Sequence, residues 1–212
     1  MQLETRRYIL TGITEMLGTK ACNPDVYTSY IASKAPDGAL TDDEIDALDG
    51  DPDRGKTVMP RNPRTCALCI QDYMVRGYIK SSLEALTAAT GVKAPRTKVD
   101  RYLFVAPRMI DLRRPGGGPI READGTLERS MRVMTMQGPR VSVASSEQVD
   151  RWEIEVEITL LPNAGTRASA ALTWDAVEEA LNYGRLCGIG QWRNGSYGRF
   201  AWRRADAEEA VG

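Results

Sequence analysis

Leu186-Cys187-Gly188-Ile189-Gly190-Gln191-Trp192-Arg193-Asn194-Gly195-Ser196-Tyr197-Gly198-Arg199-Phe200 stands between a segment with helical spacing and a segment with strand character. Glycines this dense, interleaved with arginine and large aromatics, suit a loop whose bare backbone lies against an anionic polymer. They equally suit a tight helix-to-strand connection that needs positive φ at two or more sites. The donors of Arg193, Asn194 and Arg199, which can reach phosphates while glycine N–H groups approach closely, favour the first reading.

Working outward, Thr173 is a good cap for a helix from Trp174 to Cys187, with Trp174, Val177, Ala180 and Leu181 at core-facing spacing. A final strand carries Tyr197, Phe200, Ala201 and Trp202. Upstream, Trp152 to Leu160 alternates cleanly: Trp152, Ile154, Val156, Ile158 and Leu160 share one face, Glu153, Glu155, Glu157 and Thr159 the other. One face is buried and one is wet. Thr5 to Ile13 reads as a first strand entering turns at Gly12 and Gly18. Cys69 to Thr90 gives a helical stripe broken near Gly77, so the main helix is predicted over Ile79 to Thr90, stopped by Gly91 and Pro95. Arg101 to Ala106 is a buried strand closed by Pro107.

The resulting order is β-α-β-β-α-β, the split βαβ arrangement, so the fold class is α+β with a ferredoxin-like, RRM-like core. It carries two insertions within one expected domain, 1–212. The first, about 18–63, is acidic and follows the first strand. There Thr41 and Glu44 form a capping box for a short helix, Asp42 to Leu48. The second, about 107–150, lies between the second and third core strands. It holds a basic loop and a hairpin with Met131 to Met136 and Val141 to Ala144 flanking a turn at Gln137-Gly138-Pro139.

The formal net charge of −1 hides a regional imbalance. Asp37, Asp42, Asp43, Glu44, Asp46, Asp49, Asp51 and Asp53 crowd one segment against only Arg54 and Lys56, which leaves a basic remainder. Local potential, rather than total charge, governs contact with phosphates. The basic residues Arg108, Arg113, Arg114, Arg121, Arg129, Arg132 and Arg140 could follow a nucleic-acid backbone or meet the acidic segment of a neighbouring copy head to tail, which yields a ring or a filament.

The chain has no histidine. That removes the usual general acid/base near neutral pH, Ser-His and Cys-His nucleophile systems and His-containing metal sites. Cys66-x-x-Cys69 is half of a zinc motif, and Cys22 and Cys187 would have to converge from afar to complete it; free thiols and no metal are expected. Asp49-x-Asp51-x-Asp53 starts like a calcium loop but has Arg54 and Pro60 where glycine and glutamate are required. No cofactor is expected. No apolar run reaches membrane-span length and the first residues lack a secretory segment, so a cytoplasmic location away from membranes is expected.

Gly188-x-Gly190 followed by Gly195-x-x-Gly198-Arg199-Phe200 resembles the glycine-rich loop of the repeat-associated (RAMP) superfamily, which includes backbone subunits of CRISPR effector complexes. Met74-Val75-Arg76-Gly77-Tyr78-Ile79-Lys80-Ser81-Ser82-Leu83 resembles that family's segment entering the first helix. The resemblance covers about half the chain. It implies a non-catalytic protein that holds single-stranded nucleic acid, RNA in the first instance, by its phosphates, and it implies homo-oligomers along the strand, in company with other effector subunits. The nucleic-acid-binding residues it implies are Arg76, Tyr78, Lys80 and Ser81 at the helix entrance, and Gly188, Gly190, Arg193, Gly195, Gly198 and Arg199 in the loop. The absence of histidine departs from the family's processing nucleases. A divergent, phage-encoded member fits the same residues, as does a phage assembly protein without nucleic acid. A metal-dependent RNA nuclease using Asp25 is the remaining alternative, although Asp25 also reads as a helix-start residue after Asn23-Pro24.

Overall fold

The computed structural model describes residues 3–22, 56–135, 138–161 and 171–205. Asp25, the capping box at Thr41 and the acidic run from Asp37 to Asp53 lie outside the described residues. In chain order the elements are β1 (Glu4–Gly12), β2 (Met16–Leu17), β3 (Lys20–Ala21), β4 (Lys56–Val58), β5 (Cys69–Gln71), α1 (Asp72–Ala85), α2 (Thr87–Thr90), α3 (Pro95–Tyr102), β6 (Leu103–Ala106), β7 (Met109–Asp111), β8 (Gly125–Thr135), β9 (Gly138–Val149), β10 (Glu153–Leu160), α4 (Trp174–Asn182) and β11 (Phe200–Arg204). The chain is therefore mixed α+β.

The main sheet runs β11-β1-β10-β6, with every neighbour antiparallel. Its register explains the alternation in the sequence: Tyr8 faces Val156 and Leu10 faces Ile154 across the ladder. All four are fully buried, as is Ile158, because residues two apart share one face of a pleated strand. On that face lie α1, through Val75, Tyr78, Ile79 and Leu83, and α4, through Trp174, Val177, Ala180 and Leu181. Tyr78 joins three elements. Its ring meets Phe200 of β11 edge-on at 5.1 Å, and its hydroxyl donates to the Ala180 carbonyl of α4 at 2.7 Å. An apolar ring that also finds a partner for its hydroxyl is well suited to such a junction.

A second sheet, β2-β9-β4-β3, has β8 paired to the far side of β9 as a long hairpin. β4 runs parallel to β9, and the Thr57 and Ser146 hydroxyls bond across the pair at 2.8 Å. β5 and β7 form a small separate ladder.

Several boundaries differ from the sequence reading. The first helix begins at Asp72, not Ile79, and Gly77 does not break it. A Cβ added at Gly77 would meet nothing within 4 Å, and an interior glycine costs a packed helix only about 1 kcal/mol. Pro95 does not end a helix but opens α3 at its first position, where its missing N–H has no intrahelical partner to lose. The strand expected from Arg101 therefore starts at Leu103. The last helix stops at Asn182 and tightens into a 3-10 turn, Tyr183–Arg185. Its expected cap is present: Thr173 Oγ1 accepts from the Ala176 amide at 3.3 Å. The hairpin is longer than its apolar stretches suggested, with β8 and β9 in register from Gly125↔Gln148 to Thr135↔Gly138.

One charged cluster fastens α4 to the sheet. Glu178 accepts hydrogen bonds from the Tyr8 hydroxyl at 2.9 Å, Arg6 Nη1 at 3.0 Å and Arg204 Nε at 3.0 Å. Arg6 also lies over the Trp174 ring at 4.4 Å. Burial would push the Glu178 carboxyl up, but the bonds from Tyr8 and Arg204 and the adjacent positive charges outweigh it and hold the group below its ordinary value. A depressed folded-state value means this stabilisation is complete above the unfolded carboxyl's titration, about pH 4.3, and is lost as pH falls through the folded value.

Two outcomes follow for stability. Glu178→Ala is expected to cost about 2–3 kcal/mol at neutral pH, because it takes the carboxylate from Arg204 and the acceptor from the Tyr8 hydroxyl, and leaves Arg6 with Glu4 alone. Urea titrations at stepped pH should show its loss of stability below pH about 4 to be shallower than in the parent. Gly77→Ala should raise stability by roughly 0.5–1 kcal/mol in the same assay.

Candidate nucleic-acid interface

The glycine loop is built largely on itself. Gly188 and Gly198 lie back to back: a Cβ on Gly188 would sit 2.0 Å from the Tyr197 carbonyl oxygen, and one on Gly198 1.9 Å from that of Ile189. The Ile189 amide donates to the Gly198 carbonyl at 2.9 Å, and the Gly198 amide donates to the Glu15 carbonyl at 2.7 Å. Gly198 also has φ +70 and Gly190 φ +98, conformations that glycine adopts without strain. Trp192 and Ser196 adopt positive φ as well. The Trp192 ring consequently folds over Gly195, stacks on Tyr197 at 5.2 Å and takes Arg129 of β8 on it at 4.2 Å.

Loop and helix meet through Arg193 and Ser81. Arg193 Nη1 donates to Ser81 Oγ at 3.1 Å, and Ser81 Oγ donates in turn to the Tyr78 carbonyl at 2.9 Å. Lys80, the adjoining residue, is ion-paired to Asp100 of α3 and keeps 27% of its side chain exposed. Arg185, Asn194 and Ser196 are exposed nearby in sequence, and Trp192 is 42% exposed.

The other predicted residues are placed as follows. Arg76 is half-buried on α1, with no ion pair among the described residues. Tyr78 is wholly in the core, away from any surface strand. Since α1 begins at Asp72, Lys80 and Ser81 lie well inside it and not at its positive end, so the helix dipole adds little there. Arg199 turns its Nε onto the Arg185 carbonyl at 2.7 Å. Of the basic insertion, Arg114 pairs with Asp124 and Arg113 stands 4.0 Å from Glu155; the side chains of Arg132 and Arg140 lie outside the described part. The Arg114 guanidinium holds the Asp124 carboxyl below its usual range against the opposing effect of burial.

Sequence reasoning missed Thr14 and Asp100, and it marked Arg129 only as one of the basic insertion residues, not as the cation over the Trp192 ring. Thr14 Oγ1 donates to the Ser196 carbonyl at 2.8 Å and accepts from the Arg199 amide at 2.9 Å. Nothing in a linear pattern signals a threonine bonded to a loop so far along the chain. The two cysteines of Cys66-x-x-Cys69 are divided by burial: Cys66 is exposed, whereas Cys69 is buried and its thiol is pushed up to about 11, chiefly by burial and then by Asp111. Among the described residues no three His, Cys, Asp or Glu side chains gather as a metal-binding group, and no helix is long and apolar enough to cross a membrane.

No protein-family model matches the chain, and no curated protein matches it. Among solved structures it is similar to a chain in the cryo-EM structure of the Type III-B Cmr-beta bound to cognate target RNA. The TM-score is 0.48 and the identity 9%, with 95% of this chain and 59% of that chain covered, so the protein spans about three fifths of that neighbour's length.

The back-to-back glycines give a direct outcome. Gly198→Ala should lower stability by at least about 2 kcal/mol, since positive φ and a carbonyl contact are both penalised. Thermal unfolding by circular dichroism checks it.

Proposed function

We propose that this protein binds single-stranded nucleic acid, RNA in the first instance, by its sugar-phosphate backbone at the corner where the glycine loop meets α1. The Arg193–Ser81 hydrogen bond carries the reading, because it brings together the two segments whose resemblance to RAMP proteins was independent in sequence. In the same reading, the antiparallel order β11-β1-β10-β6 with α1 and α4 on one face is a ferredoxin-like core.

A guanidinium has five donors, so Arg193 can hold Ser81 and still offer a fork to a phosphate. Lys80 keeps donors beyond its bond to Asp100. Asn194 and Ser196, exposed at the loop tip, supply neutral donors. The loop glycines serve here by letting the backbone fold tightly enough to present these groups. Contacts of this kind position a strand without reading its sequence. The protein does no chemistry on the strand, and copies pack head to tail along it, alone or with other subunits of an effector complex.

A second reading has support of its own. Lys80 and Arg199 already have partners within the chain, as expected of a phage assembly component that never meets nucleic acid. Protein purified with a raised 260/280 nm absorbance ratio that ribonuclease abolishes supports binding; oligomers free of nucleic acid support assembly alone. Magnesium-dependent loss of labelled RNA, abolished by Asp25→Ala, would assign a nuclease instead.

The binding test pairs Lys80→Ala with Arg193→Ala. Affinity for unrelated single-stranded RNAs is expected to drop together by about tenfold, and the slope of log affinity against log salt to shrink by about 0.7 per contact. Equal affinity and slope in parent and variant would remove this corner from the interface.

A further inference from the structure

We infer a second strand-binding surface, an arginine-lined groove on the open face of the main sheet, about 15 Å along α1 from Ser81; the inference rests on the nucleic-acid reading above. Arg64, Arg108 and Arg113 line one depression together with Asp111, Glu155 and Glu157, and Arg64, Arg113 and Arg121 line an adjoining one. Gln71, the residue before α1, lies at its edge.

These arginines come from separate segments whose backbones are pinned. The Asn62 side chain accepts from the Arg64 amide at 3.0 Å and donates to Asp111 Oδ1 at 2.6 Å. The Arg108 carbonyl accepts from the Asp72 amide at 3.0 Å, and Arg113 and Glu153 exchange backbone bonds at 2.9 and 2.8 Å. Arg61 Nη1 donates to the Arg121 carbonyl. The side chains of Arg64, Arg108, Arg113 and Arg121 are nevertheless exposed. Among the described residues the guanidinium groups of Arg64, Arg108 and Arg121 make no ion pair, while Arg113 only approaches Glu155 at 4.0 Å. A held backbone has already met the main-chain part of the ordering cost of binding phosphate, and unpaired guanidinium forks have no internal partner to give up.

The carboxylates choose the ligand. Glu155 and Glu157 project from β10 on the face opposite its buried residues, so they form the groove's floor. An acidic peptide segment brings carboxylates to the arginines but no side-chain donors for that floor. A nucleic-acid strand has anions along one edge and, on adenine, cytosine and guanine, amino donors along the other. It satisfies the arginine wall and the carboxylate floor together. Uracil lacks an exocyclic amino group, so the groove favours cytosine over uracil, with Glu157 as the acceptor.

The test is fluorescence anisotropy of the full chain with labelled oligocytidine and oligouridine of equal length across a salt series. Replacing Arg64, Arg108 and Arg121 by alanine together is expected to weaken both by at least about tenfold and to shrink the salt slope by about 2. Glu157→Ala, which removes the acceptor, is expected to abolish a cytidine preference of about threefold. Should the triple variant lose its circular-dichroism spectrum, Arg108→Ala alone reads the same slope, smaller by about 0.7. Wild-type protein that binds neither oligonucleotide overturns both readings. Binding that Lys80→Ala with Arg193→Ala weakens, but that the groove variants leave unchanged, overturns the groove alone, and an unaltered cytidine preference in Glu157→Ala overturns its floor.

Discussion

The turn after β1 and the loop before β11 are stitched together backbone to backbone, and the rest of the molecule is arranged around that seam. The Ile13 amide donates to the Arg199 carbonyl at 2.7 Å, the Gly198 amide to Glu15, and the Thr14 hydroxyl to Ser196. Trp152, fully buried at the head of β10, adds its indole N–H to the Thr14 carbonyl at 2.9 Å. Beyond the seam the chain turns into β2 and the second sheet. The contact that closes the last strand onto the main sheet thus also fixes where the long hairpin departs. Such close backbone approach is possible only where side chains are absent, which is why glycine occupies both Gly188 and Gly198.

That packing changes what the glycines mean. A glycine loop with a bare outward surface binds anions through its own N–H groups. Here the Ile189, Gly195, Ser196 and Gly198 amides are committed to partners within the chain, and the loop tip adds the exposed side-chain donors of Asn194 and Ser196. Affinity at this corner is therefore a matter of charged and polar groups on a rigid base. Trp192 contributes to the base: with Tyr197 and Arg129 stacked on it, it ties the hairpin to the loop by contacts that combine buried area with cation–π attraction.

The two faces of the main sheet divide the labour. One buries a single contiguous core under α1 and α4. The other leaves the glutamates of β10 in water, near arginines supplied by loops. Fixed positive charge meets fixed negative charge across an open groove, a surface suited to a ligand that carries donors and acceptors on separate edges.

Much of the secondary structure was legible in the sequence because it depends on local periodicity. The two-residue alternation of Glu153–Leu160, the Thr173 cap and the aromatic last strand follow from strand pleating and helix-end chemistry acting over a few residues. The first helix was misread because Gly77 was weighed by its propensity, while the burial of Val75, Tyr78, Ile79 and Leu83 outweighs that penalty and extends the helix back to Asp72. The candidate residues were legible as types but not as places. Sequence pattern marked Tyr78 beside Lys80, yet only tertiary packing could put one in the core and pair the other with Asp100. By itself the sequence determined the strand and helix content, the tight glycine turn and the unequal distribution of charge. Tertiary structure decided which charges remain free and which loops converge, because a side chain's neighbours are set by packing between segments far apart in the chain.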